Sequence, residues 1–156
     1  MIELAALTEL VVTNLSAALA LATTPILVGD GIAPKAGGYL AGQPDSSEFT
    51  PYATVVQLEA RVRAPSPSAM GPDDYDWDVP YKIAAYGATR RQADWVMAGA
   101  RAASEAVLLK AVFGAVSFHQ VFGVDYRSLG GPNRDDAVTP PLWGITDVVV
   151  LACTRR

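Results

Sequence analysis

At 156 residues the chain is long enough to bury one substantial core, and residues 1–156 are expected to form a single domain. Apolar residues make up 51% and charged ones only 18%, which leaves little surface to keep wet and favours a subunit covered by neighbours. A net charge of −4 without any basic cluster argues against a dedicated nucleic-acid binder, and the lone Cys153 rules out an internal disulfide.

Ile2–Leu21 reads as an amphipathic helix with Leu4, Leu7, Val11, Leu15 and Ala18 along one side, ended by Pro25. The apolar run Leu10–Ala22 contains Thr13, Asn14 and Ser16 and is too short to span a bilayer. Glu3, with no Lys or Arg before the run, is wrong for a signal peptide. Ile26-Leu27-Val28 reads as a short strand closed by Gly29-Asp30-Gly31, and Ala33–Ser47 as a loop.

Phe49–Arg63 reads as one long strand. Thr54, Val56, Leu58, Ala60 and Val62 make an apolar face, while Val55, Gln57, Glu59, Arg61 and Arg63 make a mostly charged one. Pro51 sits near its start, where a missing amide proton is tolerated. Ala64–Asp78 is a long connection rich in Pro and Asp, which projects beyond the sheet if the flanking strands form a hairpin.

Tyr81–Tyr86 alternates as a strand and Gly87 breaks it. Thr89 and Gln92 form a capping box that starts a helix at Arg90, running to Lys110. One stripe holds Ala93, Val96, Met97, Ala100, Ser104 and Val107; a second holds Trp95, Gly99, Ala102, Ala106 and Leu109. Between them runs a thin ridge in which Arg90 stands four residues before Asp94, and Arg101 four before Glu105. Two apolar faces imply that one covers the sheet and the other meets a second helix or subunit. Val112–Leu129 suits either helix or strand, Gly130–Asn133 breaks the chain, and Leu142–Thr154 ends it as a buried strand. The expected fold is an α+β sandwich: a mostly antiparallel or mixed sheet covered by the N-terminal helix and helix 90–110, with a long projecting hairpin loop.

Fragments of catalytic and ligand motifs are incomplete. Gly29-x-Gly31 lacks the last glycine of a dinucleotide fingerprint, since Pro34 holds that place and no helix is expected after it. Asp74-x-Asp76-x-Asp78 matches the start of a calcium loop, but Val79 and Ala85 occupy the required Gly and Glu positions. His119 is the only histidine and has no ligand or triad partner at a recognised spacing. Cys153 suits a small buried side chain. These readings predict no catalytic residue, no metal and no cofactor.

Several segments together resemble the tail terminator (tail-completion) proteins of long, non-contractile-tailed bacteriophages. The most specific is Gly87-Ala88-Thr89-Arg90-Arg91-Gln92-Ala93-Asp94-Trp95. Around it stand an N-terminal helix, Pro51-Tyr52 opening a strand, Arg134-Asp135-Asp136, Pro140-Pro141-Leu142-Trp143 and a final strand with Asp147 near its start. The resemblance implies an α/β subunit of a homo-hexameric ring on the tail tube protein. Such a ring stops the tube growing, offers a surface to a head-completion or neck protein, and lets DNA through without binding it. It further implies a virion location at the tail–head junction, after assembly in the host cytoplasm. The candidate subunit interface is Arg90, Arg91, Asp94, Trp95, Arg101 and Glu105. Asp73, Asp74, Asp76, Trp77 and Asp78 are candidates for lining the channel or gripping a partner. The alternatives are another ring-forming neck or head-completion protein, and a small cytoplasmic α/β ligand-binding or enzyme domain with a polar pocket around His119.

Overall fold

The structure, a computed structural model, describes residues 4–21, 26–39, 49–63, 76–104, 119–137 and 140–155. Helix α1 (Leu4–Ala20) buries Leu7, Val11, Leu15 and Leu19, four residues apart, so a single straight stripe faces inward. Strands follow as β1 (Leu27–Asp30), β2 (Gly38–Tyr39), β3 (Phe49–Thr50), β4 (Tyr52–Gln57), β5 (Arg61–Val62) and β6 (Trp77–Gly87). Helix α2 (Arg90–Ala103), then β7 (His119–Ser128), β8 (Asn133–Asp135) and β9 (Leu142–Arg155) complete the chain. A seven-stranded mixed sheet runs β1-β4-β6-β9-β7, with β5 beside β6 and β8 beside β9. Only β1 on β4 is parallel among its pairings.

Both helices lie on one face of this sheet, so the fold is the expected α+β sandwich. Ala53 and Val55 of β4, Val79, Tyr81, Ile83 and Ala85 of β6, and Ile145, Val149 and Leu151 of β9 meet them in one core. Gly99 of α2 turns to Leu19 and Ile26, so the second helical stripe is partly used inside the subunit. The strand-to-helix junction is equally tight: a Cβ on Gly87 would lie 2.5 Å from the Ala93 nitrogen, a contact only glycine permits.

Three sequence readings are corrected. The predicted strand Phe49–Arg63 is three strands, β3, β4 and β5, of which β4 and β5 both run antiparallel to β6 and β3 pairs with β2. Pro51 interrupts the first join with no amide proton, its carbonyl accepting from Leu27 N at 3.3 Å. The second join is a bulge: Gln57 lies opposite Tyr81 but Arg61 lies opposite Asp78, so four steps on one strand match three on the other. Pro80, which cannot donate to a ladder, falls within that bulge.

The faces of β4 are also the reverse of the expected ones. Val55 is fully buried beneath the helices, whereas Val56 and Leu58 are exposed on the side that no described helix covers. Thirdly, the loop predicted over Ala33–Ser47 contains β2, which pairs with β3 through Tyr39 opposite Phe49. Smaller shifts extend β1 through Asp30, where Gly31 N donates to Val55 O at 2.8 Å, and carry β6 back to Trp77. The ambiguous stretch resolves as strand from His119 to Ser128. The projecting hairpin loop falls on residues 64–75, outside those described, as does the end of the predicted helix beyond Ser104.

Candidate functional site

The first turns of α2 are built by the predicted capping box. Thr89 Oγ1 accepts from Gln92 N at 3.2 Å, and Gln92 Oε1 accepts from Ala88 N at 2.9 Å. The box fixes the direction in which the next side chains leave the helix. Ala93, Val96, Met97 and Ala100 go down into the core, and Arg90, Arg91, Asp94 and Trp95 go outward. Trp95 remains 41% exposed, an unusual outlay for the largest apolar side chain in a domain with so few charges.

Trp95 stands over a groove of about 500 Å³ whose other walls are Phe49, Pro51, Ala88, Thr89, Arg91 and Gln92. The apolar side is braced from behind by a run of rings. Tyr39 meets Phe49 edge-on at 5.0 Å between centroids, Phe49 leans on Tyr52 at 6.1 Å, and Tyr52 stacks on Tyr86 at 4.9 Å. On the rim, Arg90 is only loosely paired with Asp94, at 3.9 Å, and Arg91 makes no ion pair with a described residue. This end of α2 has no acidic residue in its first turn, the position where a helix dipole favours one.

Three turns along, Arg101 departs from the expected ridge. Its Nε and Nη2 donate to Asp147 of β9 at 2.6 and 3.1 Å, a two-pronged ion pair whose carboxylate is wholly buried. Arg101 thus forms a tie from helix to sheet; Glu105, its predicted partner along the helix, lies outside the described residues. Asp147 holds Arg101 more firmly in its charged form, chiefly through the hydrogen bond. Tyr126 completes the node from β7, its Oη donating to Met97 Sδ at 3.8 Å. Burial, and then the Asp147 charge, push its phenol well above the ordinary range and keep it neutral.

The acidic candidates lie at the other end of β6. Asp73 and Asp74 fall outside the described residues, but Asp76 and Asp78 belong to the stem of the hairpin. Arg63 N donates to Asp76 O at 2.8 Å, and Arg63 Nε lies 2.8 Å from Asp78 Oδ1. Trp77 is half-buried and packs against the core. So the structure joins Arg90, Arg91, Asp94 and Trp95 in one patch, ties Arg101 down nearby, and separates all of these from the Asp group.

Of the two glycines, Gly29 lies within β1 and only Gly31 (φ 69) turns the chain; a Cβ on Gly29 would lie 1.9 Å from Ile32 O, and no helix follows among the described residues before β4. Among the described residues no three His, Cys, Asp or Glu side chains come together as a metal site. None of the described helices is long and apolar enough to cross a membrane. Cys153 is buried, and its thiol is pushed up to about 12 by that burial. No family model matches the chain, and no curated protein matches it.

Sequence reasoning missed Phe49 and Pro51 as groove walls, because they come from a segment that meets α2 only through the fold. Asp147 carried a signal. It is the one acidic side chain among the inward positions Ile145, Val149, Leu151 and Cys153, and a carboxylate on a buried face requires a partner.

Proposed function

We propose that the chain is a structural subunit of a phage tail, a tail terminator that sits as a homo-hexameric ring on the end of the tail tube, stops its growth and joins the head-completion or neck protein. In this role DNA passes through the ring without being bound, and the protein works in the virion rather than as an enzyme. One observation carries the reading: the Gly87–Trp95 segment, the most specific part of the resemblance, presents an outward-facing Trp and two exposed arginines, Arg90 only loosely paired and Arg91 without an ion pair to a described residue. Trp and Arg left outside a core are the side chains that most often anchor interfaces.

A second surface supports an assembled state. The sheet face opposite the helices carries Val56, Val148 and Val150 around Lys82, and no described helix covers it. The ring is tested by mass measurement of the protein bound to tail tubes, with six copies per tube end expected. Three, twelve or a variable number refutes it. Tails made without the protein should be overlong; tails of normal length that stay unjoined to heads would mark a head-side adaptor instead.

A further inference from the structure

Resting on the ring reading above, we propose that the groove of Phe49, Pro51 and Trp95 is a socket for Met70–Tyr75 of the neighbouring copy. The groove is the size of an ordinary ligand site, about 500 Å³, apolar on one side and bordered by Arg91 on the other. Its occupant therefore has apolar or aromatic side chains beside carboxylates. Residues 70–75 read Met-Gly-Pro-Asp-Asp-Tyr, which places Met70, Pro72 and Tyr75 next to Asp73 and Asp74. The charges are complementary: Arg90 and Arg91 occupy a first helical turn that holds no carboxylate of its own.

The chain cannot fill its own socket with this segment. The segment joins β5 to the Trp77 end of β6, and the socket lies just past the Gly87 end, ten residue steps away or about 33 Å along a strand. The twelve residues 64–75 must leave and return, so each arm spans at most about 20 Å. A key at one end and a lock at the other make a head-to-tail contact, which closes into a ring when the rotation between copies allows. Copies of one polarity around a tube end satisfy that condition.

Cysteines placed at the two sides test it in the full chain, where the buried Cys153 stays out of reaction. Tyr75→Cys and Trp95→Cys proteins, mixed with tail tubes under mild oxidation, should yield disulfide dimers between copies. The double variant should yield a ladder reaching six. In parallel, Arg91→Glu should weaken capping of tubes at least tenfold with unchanged melting, and adding Asp74→Arg should restore it. Six-copy rings that give no disulfide between Tyr75→Cys and Trp95→Cys overturn the socket and leave the ring standing. Open chains of linked copies keep the socket and refute the ring. A Trp95→Cys thiol that couples within one chain to Ser46→Cys, from the segment joined directly to Phe49, overturns the socket in favour of an occupant from the same copy. Failure of Asp74→Arg to rescue Arg91→Glu counts against the charge pairing in the same way.

Discussion

Asp147 and Arg101 show how one carboxylate redefines a helix face. On an exposed ridge, losing Arg101 would cost well under ~1 kcal/mol. With its fork closed on a carboxylate that no water reaches, Arg101→Met leaves that charge alone and should cost about 3–5 kcal/mol. Replacing both residues, Arg101→Met with Asp147→Leu, should recover most of the loss, because no orphaned charge remains. Urea unfolding of the two single variants and the double measures the coupling. A loss near zero for Arg101→Met would show that the carboxylate finds other partners. Alkaline titration probes other buried groups. Burial raises Cys153 from 9.0 to about 12 and Tyr81 from 10.0 to about 12. The folded protein therefore keeps these protons while the unfolded chain sheds them, so stability is full below about pH 9 and falls as pH rises towards 12. Denaturant midpoints at pH 8, 10 and 11.5 should decline in order, and Cys153→Ala should flatten the first part of the decline.

At the scale of elements, β4 offers the sharpest comparison. Val55 faces α1 and α2 and is fully buried, while Val56 looks out from the uncovered side. Val55→Thr buries a hydroxyl without a partner and should cost about 1–3 kcal/mol, whereas Val56→Thr should stay within about 0.5 kcal/mol. Thermal melts of the two variants check the assignment, and equal losses would mean that a neighbour covers the outer face. Helix α2 makes a related point. Its capping box could be read residue by residue, because each contact lies within four positions. Where its outward side chains find partners depends on strands 46 residues later in the chain, as for Arg101 and Asp147.

For the whole molecule, the prediction concerns α2's exposed end. Arg90 makes only a loose, solvent-exposed pair with Asp94, so Arg90→Glu should melt within about 0.5 kcal/mol of the parent. In a ring it places a like charge against Asp94 and removes a cation from the interface, so capping of tubes should fail. Electron micrographs of tails assembled with this variant should show overlong tubes, and normal lengths would remove the patch from the interface. The pairing of near-normal stability with lost assembly matters, since a destabilised subunit would also fail to cap.

Local rules in the sequence were sufficient for Leu7, Val11 and Leu15 of the α1 stripe, the Thr89–Gln92 box, the start of α2 and the long final strand, while Leu19, also buried, stands where Ala18 was expected. Each depends on side chains a few residues apart or on a plain apolar run. The outward Trp95 and Arg90 were visible too, as a helix with more apolar surface than one sheet needs. The inward side of β4 was not. Alternation gives two faces, but which one is buried depends on where the helices lie, and both faces of this strand carry valines. A single bulge beside Pro80 then reverses the phase from β4 to β5. The groove exists only because Phe49 and Pro51 are carried to α2 by the sheet, and the Arg101–Asp147 tie only because β9 runs beneath that helix. Tertiary packing decided those, since a buried face, a bulge and a long-range ion pair are properties of what lies opposite a residue and not of its neighbours in the chain.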